Sequence, residues 1–95
     1  MAKPKLLKIK VANMESNRGR MVPNQFIVRT KDGIYFQSYD SVIAFRDNNG
    51  NVTLDENYWD YSRTTGIYRN DFLGENTAET RKKVENGTYA LADLN

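Results

Sequence analysis

Two groups of side chains in this chain have the chemistry to engage a partner: cations near its beginning and tyrosines through its middle. Residues 1–31 carry eight Lys or Arg against one acid, Glu15, for a net +7, whereas residues 32–95 carry six bases against eleven acids, for −5. A field polarised in this way steers charged partners to one end of a molecule. Lys8, Lys10, Arg18, Arg20, Arg29 and Lys31 are the residues to hold phosphates, and Tyr35 and Tyr39 those to stack on unpaired bases. Tyrosine and arginine are equally the usual anchors of protein–protein interfaces. Composition therefore leaves nucleic acid and protein both open as partners. Lysines on an edge strand also discourage sheet-to-sheet aggregation, which gives Lys3, Lys5, Lys8 and Lys10 an alternative role as solvated side chains.

Catalytic chemistry is poorly provided for. Histidine is absent, and with it the side chain best suited to proton transfer near neutral pH and the commonest transition-metal ligand. Cysteine is absent too, which removes disulfides, thiolate nucleophiles and zinc–thiolate sites. Asp55, Glu56 and Asp60 form a small acidic group able in principle to perform acid–base work or to hold magnesium. No glycine-rich phosphate loop and no nucleophile–base pair accompanies them, so structural roles are expected. Asp47, Asn49 and Asn51 imitate the opening of a calcium-binding EF-hand loop, but Val52 stands where that loop needs glycine and Tyr58 where it needs glutamate. A hairpin is the better reading, and neither a metal nor a cofactor is expected.

The elements that must position these residues follow from periodicity. Residues 5–12 alternate Leu7, Ile9 and Val11 against Lys8 and Lys10, the pattern of a half-buried strand. Residues 13–23 lose that period, contain Gly19 and Pro23, and read as a mobile loop presenting Arg18 and Arg20. Strands are expected over 24–31, 34–39, 42–46 and 52–54, with tight turns at Asp32-Gly33 and at Asp47 to Asn51. Tyr35, Gln37 and Tyr39 share one face of their strand.

After the Tyr58–Trp59 corner the period becomes helical. Tyr61, Thr65, Tyr68 and Phe72 form one stripe, Ser62 suits the N-cap and Gly74 the left-handed residue that ends the helix. A second, peripheral helix is expected over Thr77 to Glu85, with Asn76 and Glu79 spaced as in a capping box. Residues 89–94 alternate again and read as a closing extended segment. Phe26, Phe36, Phe45, Trp59 and Phe72 are the simplest core, because large side chains dominate burial in small domains. The fold class is thus α+β: a single domain over 1–95 with a small antiparallel sheet of about five strands, packed by one central helix and a shorter one.

No apolar run approaches the roughly 20 residues needed to cross a bilayer. Residues 1–12 lack the continuous apolar stretch of a signal peptide, so a cytoplasmic location without membrane association is expected.

Several runs resemble a family of small proteins of unknown function encoded by bacteriophages and prophages of Gram-positive bacteria. They are Asn24-Gln25-Phe26, Tyr35-Phe36-Gln37-Ser38-Tyr39, Leu54-Asp55-Glu56, and Tyr58-Trp59-Asp60-Tyr61-Ser62 with Thr64-Thr65. Tyr68-Arg69-Asn70, Phe72-Leu73-Gly74-Glu75, Glu79-Thr80-Arg81-Lys82-Lys83 and Leu94-Asn95 extend the similarity over roughly residues 16–95. The resemblance implies a phage setting, the cytoplasm of an infected host and a compact domain, and it supplies no catalytic residues. The expected function is that of a non-enzymatic phage accessory protein that binds nucleic acid, single-stranded or structured. The alternative is a protein-binding inhibitor of a host factor, such as a component of antiphage defence, with a structural virion role third.

Overall fold

Extended segments rich in Val, Ile, Phe and Tyr occupy the first half of the chain, and helical spacing the second. The computed structural model, which describes residues 9–95, follows that division. Its strands are β1 (Lys10–Glu15), β2 (Met21–Thr30), β3 (Gly33–Ser38), β4 (Ser41–Asp47) and β5 (Val52–Asp55). Helices α1 (Arg63–Leu73) and α2 (Thr77–Glu85) come next, and β6 (Ala90–Ala92) closes the chain. The strands form one six-stranded sheet in chain order. The first four pairings are antiparallel and β5–β6 is parallel. The expected all-antiparallel, roughly five-stranded sheet is therefore extended by one parallel strand. The physical reason is connectivity: two helices separate β5 from β6, and such a crossover returns the chain in the same direction.

The first strand ends later than its alternation suggested, running through Asn13 and Met14 to Glu15. Lys3, Lys5, Lys8 and the start of that expected strand lie outside the described residues. The expected loop over 13–23 shrinks to Ser16–Arg20, closed by Ser16 N–H donating to the Arg20 carbonyl at 2.8 Å. Pro23 does not stop β2, because β3 reaches only as far as Gln25 and the chain before it is locally an edge. Between the Asn13–Phe26 and Glu15–Met21 pairs, β2 advances five residues while β1 advances two. Asn24 absorbs part of this surplus at φ 66°, a left-handed conformation that asparagine tolerates. The β2–β3 turn also sits one residue earlier than expected, since Thr30 pairs with Gly33 around Lys31-Asp32.

One side of the sheet holds the core. Ile27, Phe36, Ala44 and Leu54 lie side by side in register across β2 to β5. Phe36, Ala44 and Leu54 are fully buried, as is Ile43, the extra residue of a bulge in β4. Against them pack Tyr68, Phe72 and Leu73 of α1, Val84 of α2, and Trp59. The Phe36 and Phe72 rings stack at 5.9 Å, and the Ser38 and Thr65 hydroxyls meet beneath α1 at 2.9 Å. The helix stripe is thus correct for Thr65, Tyr68 and Phe72. Tyr61 precedes the helix, is 47% exposed and packs edge-on against Tyr58. Ser62 caps α1 through Thr65 N–H and Gly74 ends it at φ 70°, while Asn76 and Glu79 form the capping box of α2.

A buried arginine fastens the two helices to each other and to the corner that precedes them. Arg69, fully buried, donates to the Trp59 carbonyl (2.7 Å), Asp60 (3.2 Å), Asn70 (3.0 Å) and Thr77 (2.8 Å). Its guanidinium also lies 5.3 Å from the centre of the Trp59 ring, which explains the placement of the only tryptophan.

Candidate nucleic-acid interface

Side chains alternate along a strand, so residues that do not face the helices face the other way. Register then assembles two rows on the opposite side of the sheet. Val11, Val28, Tyr35, Phe45 and Thr53 form the first. Asn13, Phe26, Gln37 and Val42 form the second. Neither helix covers this side. Its central members Phe26, Val28, Tyr35, Gln37, Val42 and Phe45 are half-buried by one another, and Val11 is exposed. Tyr35 and Phe45 touch with ring centres 4.4 Å apart and planes tilted by 33°. None of the residues in these two rows is charged.

Tyr39 follows β3 as the first residue of the β3–β4 turn, between the paired Ser38 and Ser41. Its φ of 53° is left-handed, an unusual state for a bulky side chain. Two hydrogen bonds hold it there: Tyr39 N–H donates to the Asn24 carbonyl at 2.7 Å, and the Gln37 amide donates to the Tyr39 carbonyl at 2.7 Å. The ring remains 51% exposed.

The expected phosphate-binding cations occupy the ends of the β1–β2 ribbon rather than one patch. Lys10 and Arg29 are cross-strand partners at the base, with Lys31 two residues on in the β2–β3 turn. Arg18 and Arg20 lie at the tip, in the turn where Gly19 N–H donates to the Ser16 carbonyl. Lys8 falls outside the described residues. Among the described residues none of these five cations pairs with a carboxylate, whereas Arg69, Arg81 and Lys83 of the helical half all do. Lys10 and Arg29, directly opposed and of like charge, repel each other unless an anion lies between them.

The arrangement corrects the expected site in one respect. Alternation sends Lys10 and Arg29 to the helix-bearing side of the sheet and Tyr35 to the other, so cations and tyrosines do not interleave. Tyr35 is joined instead by Phe45 and Phe26, which the sequence reading assigned to the core. The signal that could have found them is parity: Ile27 and Ala44, their immediate neighbours, belong to the buried row, so Phe26 and Phe45 must oppose it.

A groove of about 540 Å³ separates the ribbon tip from α1, with Arg18 and Glu15 on one wall and Ile67, Tyr68 and Asp71 on the other. Asp55, Asp60, Glu75 and Asp47 are engaged in holding the fold. Burial pushes Asp55 up, but N–H groups of Leu94, Asn95, Asn57 and Tyr58 outweigh it and leave its pKa below the ordinary value. Asp60 is likewise held low against burial by Arg81 and Arg69, and Glu75 by Lys83, Thr80 and Tyr89. Hydrogen bonding to Glu75 raises the Lys83 pKa, and burial beside Glu75 raises that of Tyr89. Asp47 accepts from Asn49 N–H, Asn51 N–H and the Asn51 amide, so its oxygens are turned into its own hairpin. Among the described residues no helix is long and apolar enough to cross a membrane.

No curated protein and no solved structure matches the chain. One family profile matches residues 9–87, most of its length, and the chain belongs to that family, a family of unknown function (DUF8033).

Proposed function

We propose that the protein is a non-enzymatic phage accessory protein that binds single-stranded nucleic acid across the side of its sheet that faces away from the helices, in the cytoplasm of the infected host. One observation carries the reading: Phe26, Tyr35 and Phe45 stand on three adjacent strands of an antiparallel sheet, facing away from the helices. Open sheets that stack two or three bases on such rings are a recurring mode of single-strand recognition. Stacking contributes about 1–3 kcal/mol per base and tolerates any sequence. Arg18, Arg20 and Lys31, in the turns at either end, would hold the phosphates of a strand laid along β3, with Tyr39 stacking where it leaves. The resemblance to phage-encoded proteins supplies the setting.

Salt-dependent binding of labelled single strands tests this reading. Each neutralised phosphate should contribute about 0.7 to the slope of log affinity against log salt. Changing Arg18 and Arg20 together to Ala should flatten that slope, while Phe45→Ala should weaken binding and leave the slope nearly unchanged. No binding below roughly 100 μM at physiological salt would overturn it, since even non-specific binders register there.

A second reading, an inhibitor that occupies a host protein, is favoured by the lack of charge in the two open rows. The centre of a protein interface is depleted of charge and enriched in aromatic residues. On this reading a host protein captured from lysate survives nuclease treatment, and Phe45→Ala releases it.

A further inference from the structure

The second open row places a side-chain amide on each side of an aromatic ring: Asn13, Phe26 and Gln37 are register neighbours on β1, β2 and β3. Adjacent members of such a row stand about 5 Å apart at their Cβ atoms. Both amides are oriented by the main chain. Asn13 Nδ2 donates to the Val22 carbonyl at 3.1 Å, and Gln37 Nε2 donates to the Tyr39 carbonyl at 2.7 Å. A carbonyl partner accepts only from the NH₂ end, so these bonds settle which end of each amide is oxygen. The oxygens, Asn13 Oδ1 and Gln37 Oε1, accept no hydrogen bond among the described residues. Neither side chain is buried, so both oxygens are open to a ligand.

From this we infer that the Phe26 position is a base-selective subsite, taking bases with an exocyclic amine and disfavouring thymine or uracil. The inference rests on the single-strand reading above and adds specificity to it. A base stacked on Phe26 turns its edges toward Asn13 on one side and Gln37 on the other. Cytosine N4, adenine N6 and guanine N2 are amine donors, and whichever of the two oxygens the amine reaches accepts from it. Thymine and uracil carry O4 where cytosine carries N4, so an oxygen placed to accept from N4 meets O4 acceptor to acceptor, and their one ring donor, N3–H, lies between two carbonyls. The amide NH₂ groups, committed to Val22 and Tyr39, are not free to turn round and compensate. Nothing comparable flanks Tyr35, whose row neighbours Val28 and Phe45 are apolar. Selectivity therefore belongs to one position, and the other stacking positions tolerate any base.

The test compares dC, dA and dT homopolymers of equal length by fluorescence anisotropy. The dC–dT pair is decisive, because the two pyrimidines are similar in size. Wild-type protein should bind dC about tenfold more tightly than dT, within the range of discrimination that a good pair of base contacts provides. The double variant Asn13→Leu, Gln37→Met should bring that ratio below about twofold by weakening dC binding, with the salt slope unchanged. Asn13→Leu alone, which leaves the Gln37–Tyr39 bond intact, should lose part of the preference. Circular dichroism confirms that each variant is folded. Equal binding of dC and dT by the wild type, or a preference that survives in the folded double variant, overturns the subsite and leaves the single-strand reading standing. Failure of all three homopolymers to bind overturns the single-strand reading and the subsite with it.

Discussion

Asp55 offers the sharpest test of how the fold is held. Its carboxylate is fully buried at the end of β5, and each oxygen serves two donors. Oδ2 accepts from the N–H groups of Asn57 (3.0 Å) and Tyr58 (2.9 Å), which form the corner leading to α1. Oδ1 accepts from Leu94 N–H (2.8 Å) and the Asn95 amide (3.0 Å), which bring the chain end beside β5. Asn95 in turn brackets the main chain of Val42, accepting its N–H at 2.7 Å and donating to its carbonyl at 3.0 Å. Replacing Asp55 by Asn preserves size but puts an NH₂ where one oxygen was. Whichever way the amide turns, two N–H donors then face another donor. Each hydrogen bond to a charged acceptor contributes about 1.5–3 kcal/mol, and leaving its partner unsatisfied costs a similar amount. Losing two of them gives about 3–6 kcal/mol. At roughly 4–8 °C per kcal/mol for a domain of this size, the unfolding midpoint should fall by at least about 12 °C. Urea unfolding with an unchanged m-value measures the free energy directly. A loss under about 1 kcal/mol would refute the view that this carboxylate ties the helix corner and the chain end to the sheet.

Acid should act through the same groups. Asp55, Asp60 and Glu75 all have folded pKa values below their ordinary ones, so the stability they confer is complete above the unfolded values of about 4 and is lost as pH falls through the folded values. A melting temperature that is level from about pH 7 to 5 and drops below about 4 fits this; one that rises in acid contradicts it. Phe72→Ala removes a ring that stacks on Phe36 and lies 4.7 Å from the Arg46 guanidinium, and should cost about 3 kcal/mol; a loss below about 1 would place that ring outside the core. Gln25 is fully buried and neither end of its amide has a hydrogen-bond partner, so Gln25→Met should raise stability by about 1 kcal/mol. A clear destabilisation would show that the amide is satisfied after all. Millimolar calcium should leave the melting temperature unchanged, because the Asp47 oxygens are occupied by their own hairpin, and a saturable shift would contradict that geometry.

Features governed by local chemistry were legible in the sequence. Ser62 and Gly74 bound α1, the Asn76–Glu79 box opens α2, and the Asp47–Asn51 turn joins β4 to β5, because each depends on a few residues close in sequence. What the sequence concealed depends on pairing between distant residues. The reach of β1 to Glu15 requires the surplus in β2 to be absorbed at Asn24, and no period reports a bulge. The parallel β6 is only three residues long, too short to declare its direction. Tyr61 fitted the helical stripe numerically but stands before the cap, where spacing no longer means facing.

The aromatic residues show why the candidate site was only half visible. Phe26, Phe36 and Phe45 are chemically alike, and nothing in their identity separates the core from the surface. Register separates them: Phe36 shares its row with Ala44 and Leu54 beneath the helices, while Phe26 and Phe45 belong to the rows that face away. The side of an antiparallel sheet that faces water is ordinarily polar, since alternation satisfies both solvent and core. Alongside Asn13, Gln37 and Thr53, that side here carries Val11, Phe26, Val28, Tyr35, Val42 and Phe45, while Arg69 and Glu75 tie the helical elements together on the other. Stability alone does not call for such a surface, because threonine, lysine or glutamine in those positions would complete the same strands. A face whose two central rows are aromatic and aliphatic without charge, and which its own helices do not cover, is better accounted for by a partner that lies on it. The cations without carboxylate partners in the turns at either end favour a phosphate-bearing one.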